Sequence, residues 1–356
     1  MTANSTYRTF SEPNFNFDDK TILITGGTGS FGNAFLRHIT THYKPRRVII
    51  FSRDEFKQHQ LALKYPSSQY PYVRFFIGDV RNRDRLEMAM RNVDFVVHAA
   101  AMKQVGAAEY NPLECVHTNI LGAENVILAA MRTNVQKVIA LSTDKAANPV
   151  NLYGATKLAS DKIFINGNYL SGSNGTRFSV VRYGNVVGSR GSVIEVFNEL
   201  IRSGAKSLPI TDANMTRFWI SLEQATSFVE SCFALMGGGE VFVPKIPSMS
   251  VIDLAKAMAP ELPTHQIGIR AGEKLHETMV PVEDCRMTYE ISDRYIIESA
   301  LDLPIKPIDE RLGDEAHLVP EGFGYDSHTN SEWIGVDELR ELLHKNGMMP
   351  IDIKGS

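Results

Sequence analysis

The sequence predicts an α/β fold in which a doubly wound parallel sheet is followed by a smaller mixed α/β lobe. From residue 20 to about residue 188, short apolar segments alternate with longer helical segments, the order that builds a parallel sheet with helices on both faces. A glycine-rich turn follows the first apolar segment directly. Beyond residue 188 the regular alternation is lost, which favours a separate and less regular lobe.

The elements follow from local patterns of apolar residues and glycines. Strands are predicted where short runs rich in Val, Ile and Phe occur between turn residues. These runs lie at residues 20–25, 47–51, 73–77, 95–101, 138–141 and 178–182. Helices are predicted at residues 31–41 and 109–132 and from about residue 152, then at 193–203, 222–236 and 250–258, with short extended segments at 240–244 and 266–270.

Composition excludes several classes of protein. A hydrophobic fraction of 43% and a charged fraction of 22% are typical of a soluble globular enzyme, and a net charge of -4 provides no footprint for nucleic acid or an anionic membrane. The first twenty residues lack the apolar core of a signal peptide, and no apolar run approaches the roughly 20 residues that span a bilayer. Three scattered cysteines predict no disulfide framework. We expect a cytoplasmic protein without nucleic-acid or membrane partners.

The glycine-rich turn predicts a site for a dinucleotide. Gly26, Gly29 and Gly32 follow the first strand and open the first helix. Glycines in this context allow a tight turn and close approach of the backbone to a pyrophosphate, and the positive end of the helix faces the phosphates. The fold is therefore expected to be of the Rossmann type. Thr28, Ser30 and Phe31 of the same turn are expected to contact the cofactor.

The end of the second strand favours NADP over NAD. An NAD site usually has an acidic residue there for the ribose 2′-hydroxyl, whereas this sequence has Ser52 and Arg53, with Lys57 one turn later. These side chains suit a 2′-phosphate. Asp54 follows immediately, so a solvated Arg–Asp pair stays open as an alternative. Further cofactor contacts are expected at the ends of later strands and in the next helix, from Asp79, Val80, Ala99, Lys103, Thr118 and Val186.

We expect three parts along the chain. Residues 1–19 predict a flexible N-terminal arm, either used in assembly or simply disordered. Residues 20–188 predict an NADP-binding Rossmann domain that includes the catalytic residues. Residues 189–356 predict mainly a substrate-binding lobe, with some of the chain returning to the Rossmann core.

The stretch from Leu141 to Lys157 carries the candidate catalytic residues. Thr143, Asp144 and Lys145 end a strand, and Tyr153 and Lys157 lie four residues apart on the following helix, so that they share one face. A phenol gives up its proton near neutral pH only if its pKa falls from about 10, which a neighbouring ammonium favours. Tyr-x-x-x-Lys alone is common on solvated helices; its place after the glycine turn favours catalysis.

Other chemistry fits some of the same residues. Ser142 and Lys145 match the Ser-x-x-Lys spacing of some acyl-transfer enzymes, but the partner motifs are absent. His38 and His42 could begin a zinc site, but no third ligand is evident and we expect no metal. In the C-terminal half, charged residues suit a diphosphate and its ribose, because arginine matches phosphate oxygens. The substrate-binding candidates are Lys103, Asn185, Arg190, Val193, Arg217, Arg270 and Glu273.

With these motifs in order, the sequence resembles the extended short-chain dehydrogenase/reductase superfamily, and within it the configuration-inverting UDP-N-acetylglucosamine 4,6-dehydratases. The resemblance covers about residues 20–300 and returns at 325–333. Its most specific element is Thr143-Asp144-Lys145, since many sugar-nucleotide dehydratases of the superfamily have Asp-Glu there and epimerases have neither pair. The other segments that carry it are TGGTGSFG (25–32), SRDEFK (52–57), HAAAMKQV (98–105), VVRYGNVVGSRGSV (180–193), MTRFWI (215–220), VFVPKIPSM (241–249) and GIRAGEKLHE (268–277).

The resemblance implies dehydration of UDP-N-acetylglucosamine through a temporary 4-ketone, with tightly bound NADP taking and returning the hydride. Tyr153, supported by Lys157, removes the proton of the 4-hydroxyl, and Thr143 hydrogen-bonds the same oxygen. Lys145 then takes the C5 proton, which requires its pKa to be lowered, and Asp144 protonates the departing 6-hydroxyl. The last two roles could be exchanged.

The implied product is a UDP-2-acetamido-2,6-dideoxy-L-arabino-hexos-4-ulose for bacterial surface glycans of the pseudaminic-acid type. The resemblance also implies a homo-oligomer, such as a hexamer. Two alternatives stay open at this point. A UDP-hexose or UDP-N-acetylhexosamine 4-epimerase would use Tyr153 and Thr143 but needs no Asp-Lys pair. A non-catalytic NADP-sensing protein would not need Tyr153 and Lys157 at all.

Overall fold

Short segments rich in Val, Ile and Phe form the strands, because strands covered on both faces are apolar throughout. The structure is a computed structural model that describes residues 8–12, 15–189, 191–301 and 305–349. In chain order the strands are β1 (Thr21–Thr25), β2 (Arg47–Ser52), β3 (Val73–Ile77), β4 (Phe95–His98), β5 (Lys137–Thr143), β6 (Arg177–Tyr183), β7 (Asn185–Val186), β8 (Leu208–Ile210), β9 (Thr216–Ile220), β10 (Val241–Pro244), β11 (Ser248–Ser250), β12 (Thr264–Gln266), β13 (Thr278–Val280), β14 (Thr288–Glu290), β15 (Arg294–Ile297), β16 (His317–Leu318) and β17 (Tyr325–Asp326).

The helices cover the sheet and build the C-terminal lobe. In chain order they are α1 (Ser30–His42), α2 (Glu55–Lys64), α3 (Arg83–Ala89), α4 (Val105–Tyr110), α5 (Pro112–Val116), α6 (Gly122–Arg132), α7 (Leu152–Ser171), α8 (Val193–Arg202), α9 (Leu222–Leu235), α10 (Val251–Met258), α11 (Ile308–Leu312) and α12 (Val336–Lys345). Across the described ranges, no helix is both long and apolar enough to cross a membrane.

A ten-stranded sheet forms the centre, in the order β16-β14-β15-β10-β6-β5-β4-β1-β2-β3. The strands from β3 to β6 in this order are parallel, so their carboxyl ends meet at one edge. The chain runs outward in opposite directions from β1 and β4, and ligands bind at such a switch point. The predicted fold class is confirmed.

The chain beyond residue 188 contributes to two regions. β10 pairs in parallel with β6, and β14, β15 and β16 extend the sheet in antiparallel order. α9 packs against α1 in the core of the central sheet, whereas α8, β8, α10 and α12 belong to a lobe with its own core, in which Phe197, Trp219, Leu254 and Leu343 are buried. The domain boundary at residue 188 stays a prediction.

The prediction of a flexible arm at residues 1–19 is wrong for the residues described, 8–12 and 15–19. Phe10 is buried and packs edge-on against Phe228 at 4.8 Å between ring centroids. Phe17 is fully buried. Arg8 donates a hydrogen bond to Glu332 at 2.9 Å. Buried aromatic side chains therefore fix this segment onto the core.

The single helix predicted at residues 109–132 is broken into α5, a π-helical turn and α6. Pro112 occupies the first turn of α5, where its missing N–H costs nothing, and it separates α5 from α4. The π-helical turn spans His117–Leu121 and carries Thr118 and Asn119. Such turns often occur at functional sites.

Candidate active site

A cavity of about 1160 Å³ lies at the carboxyl edge of the parallel strands and extends to the C-terminal lobe. All but two of the predicted site residues line it. Asp144 is fully buried behind the wall, and Arg190 lies outside the described residues. The lining residues are Gly26, Thr28, Gly29, Ser30, Phe31, Gly32, Ser52, Arg53, Lys57, Asp79, Val80, Ala99, Lys103, Thr118, Thr143, Lys145, Tyr153, Lys157, Asn185, Val186, Val193, Arg217, Arg270 and Glu273.

The glycine turn leaves backbone exposed at the base of the cavity. Gly26 has φ +63°, and a Cβ there would lie 2.8 Å from the backbone nitrogen of Ala100, so only glycine fits. α1 begins at Ser30, and its positive end faces the cavity at this turn. The turn can therefore receive a pyrophosphate.

The end of β2 presents an exposed guanidinium. The side chain of Arg53 is 63% exposed, and its Nη1 lies 3.7 Å from Asp79 Oδ2. Asp54 instead caps α2, where its carboxylate accepts a hydrogen bond from the backbone of Lys57 at 2.9 Å. Burial raises the pKa of Asp79, but hydrogen bonds from Arg81 lower it by more, so that this carboxyl is more acidic than usual.

The π-helical turn connects the cavity wall to α7. The Asn119 side chain accepts from Met102 N at 2.8 Å and donates to Met102 O at 3.0 Å and Thr156 Oγ1 at 3.0 Å. The neighbouring Thr118 Oγ1 is buried and has no hydrogen-bond partner in the part of the chain that the structure describes. An unsatisfied buried hydroxyl is costly, so a polar ligand atom in the cavity would satisfy it.

A short 3-10 turn at Asp144–Ala146 follows β5 and positions the candidate catalytic residues Asp144 and Lys145. Lys145 N donates a hydrogen bond to Thr143 Oγ1 at 3.3 Å, and that hydroxyl donates to Asp144 Oδ1 at 2.9 Å. Gly154 lets α7 approach this turn, because a Cβ there would lie 2.1 Å from Lys145 O. Tyr153 is thereby brought into hydrogen-bond contact with Thr143.

Lys145 lies between two buried carboxylates. Its Nζ donates to Asp144 Oδ1 at 3.0 Å and lies 3.1 Å from Glu277 Oε1. Burial lowers the pKa of Lys145, but the charges of Asp144 and Glu277 raise it by more, and the result is above the ordinary value. The prediction that the pKa of Lys145 is lowered is therefore wrong for this arrangement, in which the residue is an ammonium.

The pKa of Tyr153 is also shifted upward. Burial raises it to about 12, while the charge of Lys145 and the hydrogen bond with Thr143 lower it by less. The cation that lowers the pKa of Tyr153 is Lys145, so the prediction that Lys157 lowers it is not confirmed. Burial lowers the pKa of Lys157, and the charge of Asp161 opposes this effect.

The buried carboxylate of Asp161, one helical turn after Lys157 on α7, opposes the lowering of the Lys157 pKa. Asp161 Oδ2 accepts a hydrogen bond from Ser142 Oγ at 2.7 Å and lies 3.6 Å from Arg182 Nη2. Ser142 is thus committed to Asp161, and the structure gives no support to an acyl-transfer pair of Ser142 and Lys145.

Arg217 holds the protein chain at the cavity wall. Its Nη1 donates to the carbonyl oxygens of Thr216 at 2.7 Å and Leu275 at 3.1 Å, and its Nη2 to that of Lys274 at 3.0 Å. Its Nε lies 3.7 Å from Glu277 Oε1. These contacts indicate that Arg217 positions the segment 274–277, and its binding of a diphosphate stays a prediction.

The loop that carries Arg270 and Glu273 lies at the cavity rim. The side chain of Arg270 is 69% exposed, and its Nη1 lies 3.9 Å from Glu273 Oε1. Asn151 Nδ2 donates to Gly272 O at 2.7 Å, which ties this loop to the start of α7. An exposed guanidinium held near the catalytic helix is suited to phosphate oxygens.

Sequence reasoning missed Glu277 and Asp161. Asp161 lies four residues after Lys157, so the helix period could have revealed it. Glu277 ends the segment GIRAGEKLHE, but nothing local places it beside Lys145, which is more than a hundred residues earlier.

The two histidines that could begin a zinc site have other partners. His38 Nε2 contacts Glu230, and His42 Nδ1 donates to His38 O at 2.9 Å.

Comparison with known proteins identifies relatives over nearly the whole chain. A family model described as "Polysaccharide biosynthesis protein" matches residues 22–299. A UDP-N-acetylglucosamine 4,6-dehydratase (inverting) of Campylobacter jejuni is 55% identical over 331 residues, 92% of this chain and 98% of that protein. A UDP-glucose 4-epimerase of Rickettsia canadensis is 41% identical over 341 residues, 92% of this chain and 96% of that protein. The X-ray structure of Pen from Bacillus thuringiensis has a TM-score of 0.84 and 37% identity, covering 94% of this chain and 100% of that one.

Proposed function

The chain belongs to the polysaccharide biosynthesis protein family, with an extended short-chain dehydrogenase/reductase fold, and on this premise we propose that it catalyses NADP-dependent 4,6-dehydration of UDP-N-acetylglucosamine with inversion at C5. With such relatives it is a sugar-nucleotide 4,6-dehydratase, and a dehydratase is a hydro-lyase. The observation that carries the proposal is the contact of the buried Asp144 with Lys145, which lines the cavity beside Tyr153 and Thr143.

The residues of the cavity fit a nicotinamide dinucleotide. The exposed backbone at Gly29, the start of α1 and the unsatisfied hydroxyl of Thr118 would hold its phosphates and ribose. Arg53 and Lys57 at the end of β2 support NADP. When bound, the nicotinamide supplies the hydride acceptor for C4 and the hydride donor for C6.

The protein's own residues would move the protons. With a cationic nicotinamide bound nearby to lower its pKa, Tyr153 would act as the phenolate that takes the proton of the 4-hydroxyl, and Thr143 would orient the same oxygen. The resulting ketone makes the C5 proton acidic, and Lys145 removes it. The proton that the Asp144–Lys145 pair then holds is passed to the 6-hydroxyl, which leaves as water. Positioned acid–base groups of this kind contribute about 10²–10⁴-fold to a rate.

The substrate would extend from these residues toward the C-terminal lobe. Arg270 and Glu273 at the rim would bind the diphosphate and ribose of UDP, while Asn185 and Val193 would face the sugar. Lys103 lies along the same wall and suits a phosphate. The relative named as an inverting UDP-N-acetylglucosamine dehydratase supports this substrate and the inversion at C5.

We expect the purified protein to convert UDP-N-acetylglucosamine in deuterated water to a 4-keto-6-deoxy sugar nucleotide that carries deuterium at C5. The reason is that a C5 proton lost to Lys145 is replaced from solvent. NMR of the fresh product checks both the deuterium and the C5 configuration. A product with retained C5 configuration would contradict inversion, and unchanged substrate would contradict the whole proposal.

The second candidate is a 4-epimerase, which the similarity to the Rickettsia canadensis protein favours. An epimerase needs Tyr153 and Thr143 but no group that eliminates the 6-hydroxyl. The contact between Asp144 and Lys145 therefore favours dehydration. The same NMR experiment separates the two, since an epimerase gives inverted C4 with the 6-hydroxyl intact.

Cofactor preference is expected to depend on Arg53. Arg53→Met should weaken NADP binding roughly 10- to 150-fold, because a hydrogen bond to a charged group contributes about 1.5–3 kcal/mol, and should change NAD binding little. Calorimetric titration of both cofactors measures this. Arg81→Met is the matched control, since Arg81 also pairs with Asp79 but does not line the cavity. Equal losses for both cofactors would contradict a 2′-phosphate site.

We also propose where the protein acts, how it assembles and what its product is used for. Three buried free cysteines suit the reducing cytoplasm. Exposed apolar side chains on α4, α5 and α7, from Tyr110, Leu113, Tyr169 and Leu170, support assembly into a homo-oligomer, such as a hexamer. The 4-keto-6-deoxy product would serve a bacterial surface glycan of the pseudaminic-acid type.

A further inference from the structure

Glu277 is a buried carboxylate in the active site that the proposed reaction does not yet use. Its residue surface is 1% exposed, and Oε1 lies 3.1 Å from Lys145 Nζ. Its other oxygen, Oε2, is buried without a hydrogen-bond partner among residues 8–12, 15–189, 191–301 and 305–349. Burying a carboxyl oxygen that has no partner costs less free energy when the group is a neutral acid than when it is charged.

We propose that Glu277 is a positioning residue for catalysis, which accepts the proton that Lys145 must release before its amine can act as the base at C5. This inference rests on the proposed dehydratase function. It resolves a conflict in the site, because a base must be neutral whereas Lys145 is held as an ammonium by two carboxylates.

The transfer is balanced within the pair. An N–H bond of Lys145 breaks and an O–H bond forms on Glu277, so a charged pair becomes a neutral amine and a neutral acid. The amine's lone pair then takes the C5 proton, and the electrons of the broken C–H bond are delocalised into the 4-ketone. Filling the cavity with substrate excludes water, which disfavours the charged form of the pair.

Glu277 is better placed than Asp144 to hold this proton. Asp144 Oδ1 already accepts hydrogen bonds from Thr143 and Lys145. The charged groups that act on Glu277 are Asp144, Lys145 and Arg217, and Glu277 in turn opposes the lowering of the Lys274 pKa by burial. Burial and the charge of Asp144 raise the pKa of Glu277, and the two cations lower it by less, which favours a protonated acid.

The backbone around Glu277 fixes the distance to Lys145. Glu277 N donates to Ser327 Oγ at 2.9 Å, and Ser327 N donates to Glu277 O at 2.8 Å. Arg217 holds the carbonyl oxygens of Lys274 and Leu275 just before it. The carboxylate is therefore held on a rigid segment that comes from the C-terminal half of the chain.

The test is the pH dependence of C5 deuterium exchange and dehydration in the full-length protein loaded with NADP. In the wild type the proton moves within the pair, so the rate should be flat across the neutral range. In Glu277→Gln the proton must leave to solvent, so the rate should be about 10²-fold lower at neutral pH and rise tenfold per pH unit. Glu277→Asp restores a carboxylate that lies one methylene farther from Lys145, so it should recover part of the rate and the flat profile.

A second readout does not depend on turnover. Binding of UDP-N-acetylglucosamine to Tyr153→Phe should produce the infrared band of a protonated carboxyl group. That band should be absent from Tyr153→Phe carrying Glu277→Gln. A persistent band in the double variant would assign the proton to another carboxyl group and overturn the inference.

The kinetic outcomes distinguish failure of the role inferred for Glu277 from failure of the proposed dehydratase function. A loss in Glu277→Gln that is uniform across pH would mean a merely structural role, and unchanged activity would mean no role; either overturns the inference. If the wild type gives no 4-keto-6-deoxy product, the proposed function fails and the inference falls with it. Trapping the 4-ketone with borodeuteride should still detect ketone in Glu277→Gln, because Tyr153 is intact.

Discussion

Replacing Lys145 by alanine is expected to lower kcat for dehydration by roughly 10²–10⁴-fold while leaving NADP binding unchanged. Lys145 borders the cavity beside Tyr153, whereas the glycine turn and Arg53 that would hold the cofactor are separate from it. Single-turnover assays with UDP-N-acetylglucosamine measure elimination, and calorimetry measures the cofactor. Unimpaired elimination would remove Lys145 from the mechanism.

A matched variant, Lys145→Arg, tests whether the reaction needs Lys145 as a base or only its positive charge. Alanine leaves Asp144 and Glu277 buried without their shared cation, so Lys145→Ala also loses stability. Lys145→Arg keeps a cation between the two carboxylates but cannot be deprotonated. It should therefore fold like the wild type and still fail to exchange the C5 proton. Near-normal turnover in Lys145→Arg would show that charge alone suffices.

The fold could be predicted from the sequence because its signals are local. The third strand begins and ends at the predicted residues, Val73 and Ile77, and the parallel arrangement follows from alternating strands and helices. The resemblance to the inverting dehydratases is confirmed by the comparisons. The break between α4 and α6 was missed, although Pro112 was visible as a signal for it.

The site was predictable only where its residues are close in sequence. Thr143, Lys145, Tyr153 and Lys157 come from one strand end and the next helix, and all line the cavity. Glu277 reaches the same point from the other half of the chain, through a contact that no local pattern encodes. The direction of the Lys145 pKa was predicted wrongly for the same reason, since Glu277 contributes one of the two charges that raise it.

Asp161→Asn is expected to cost about 3–5 kcal/mol of folding free energy, because removing one partner of a buried ion pair leaves a buried charge uncompensated. Asp161, Arg182 and Lys157 are all almost completely buried. Asparagine keeps the shape of the side chain but removes the charge that opposes the downward shift in the pKa of Lys157. Equilibrium unfolding in urea measures the loss, and a fall in ketone formation should accompany it.

The control is the same carboxylate-to-amide change at an exposed pair. Glu87 lies 2.8 Å from Arg132, whose side chain is 56% exposed, so Glu87→Gln should cost at most about 1 kcal/mol. If Asp161→Asn and Glu87→Gln unfold at the same urea concentration, Asp161 is not needed to balance the buried cations. A large loss of folding free energy in Asp161→Asn alone would indicate that the charge of Asp161 balances the buried cation of Lys157. Asp161 would then support the site without lining the cavity itself.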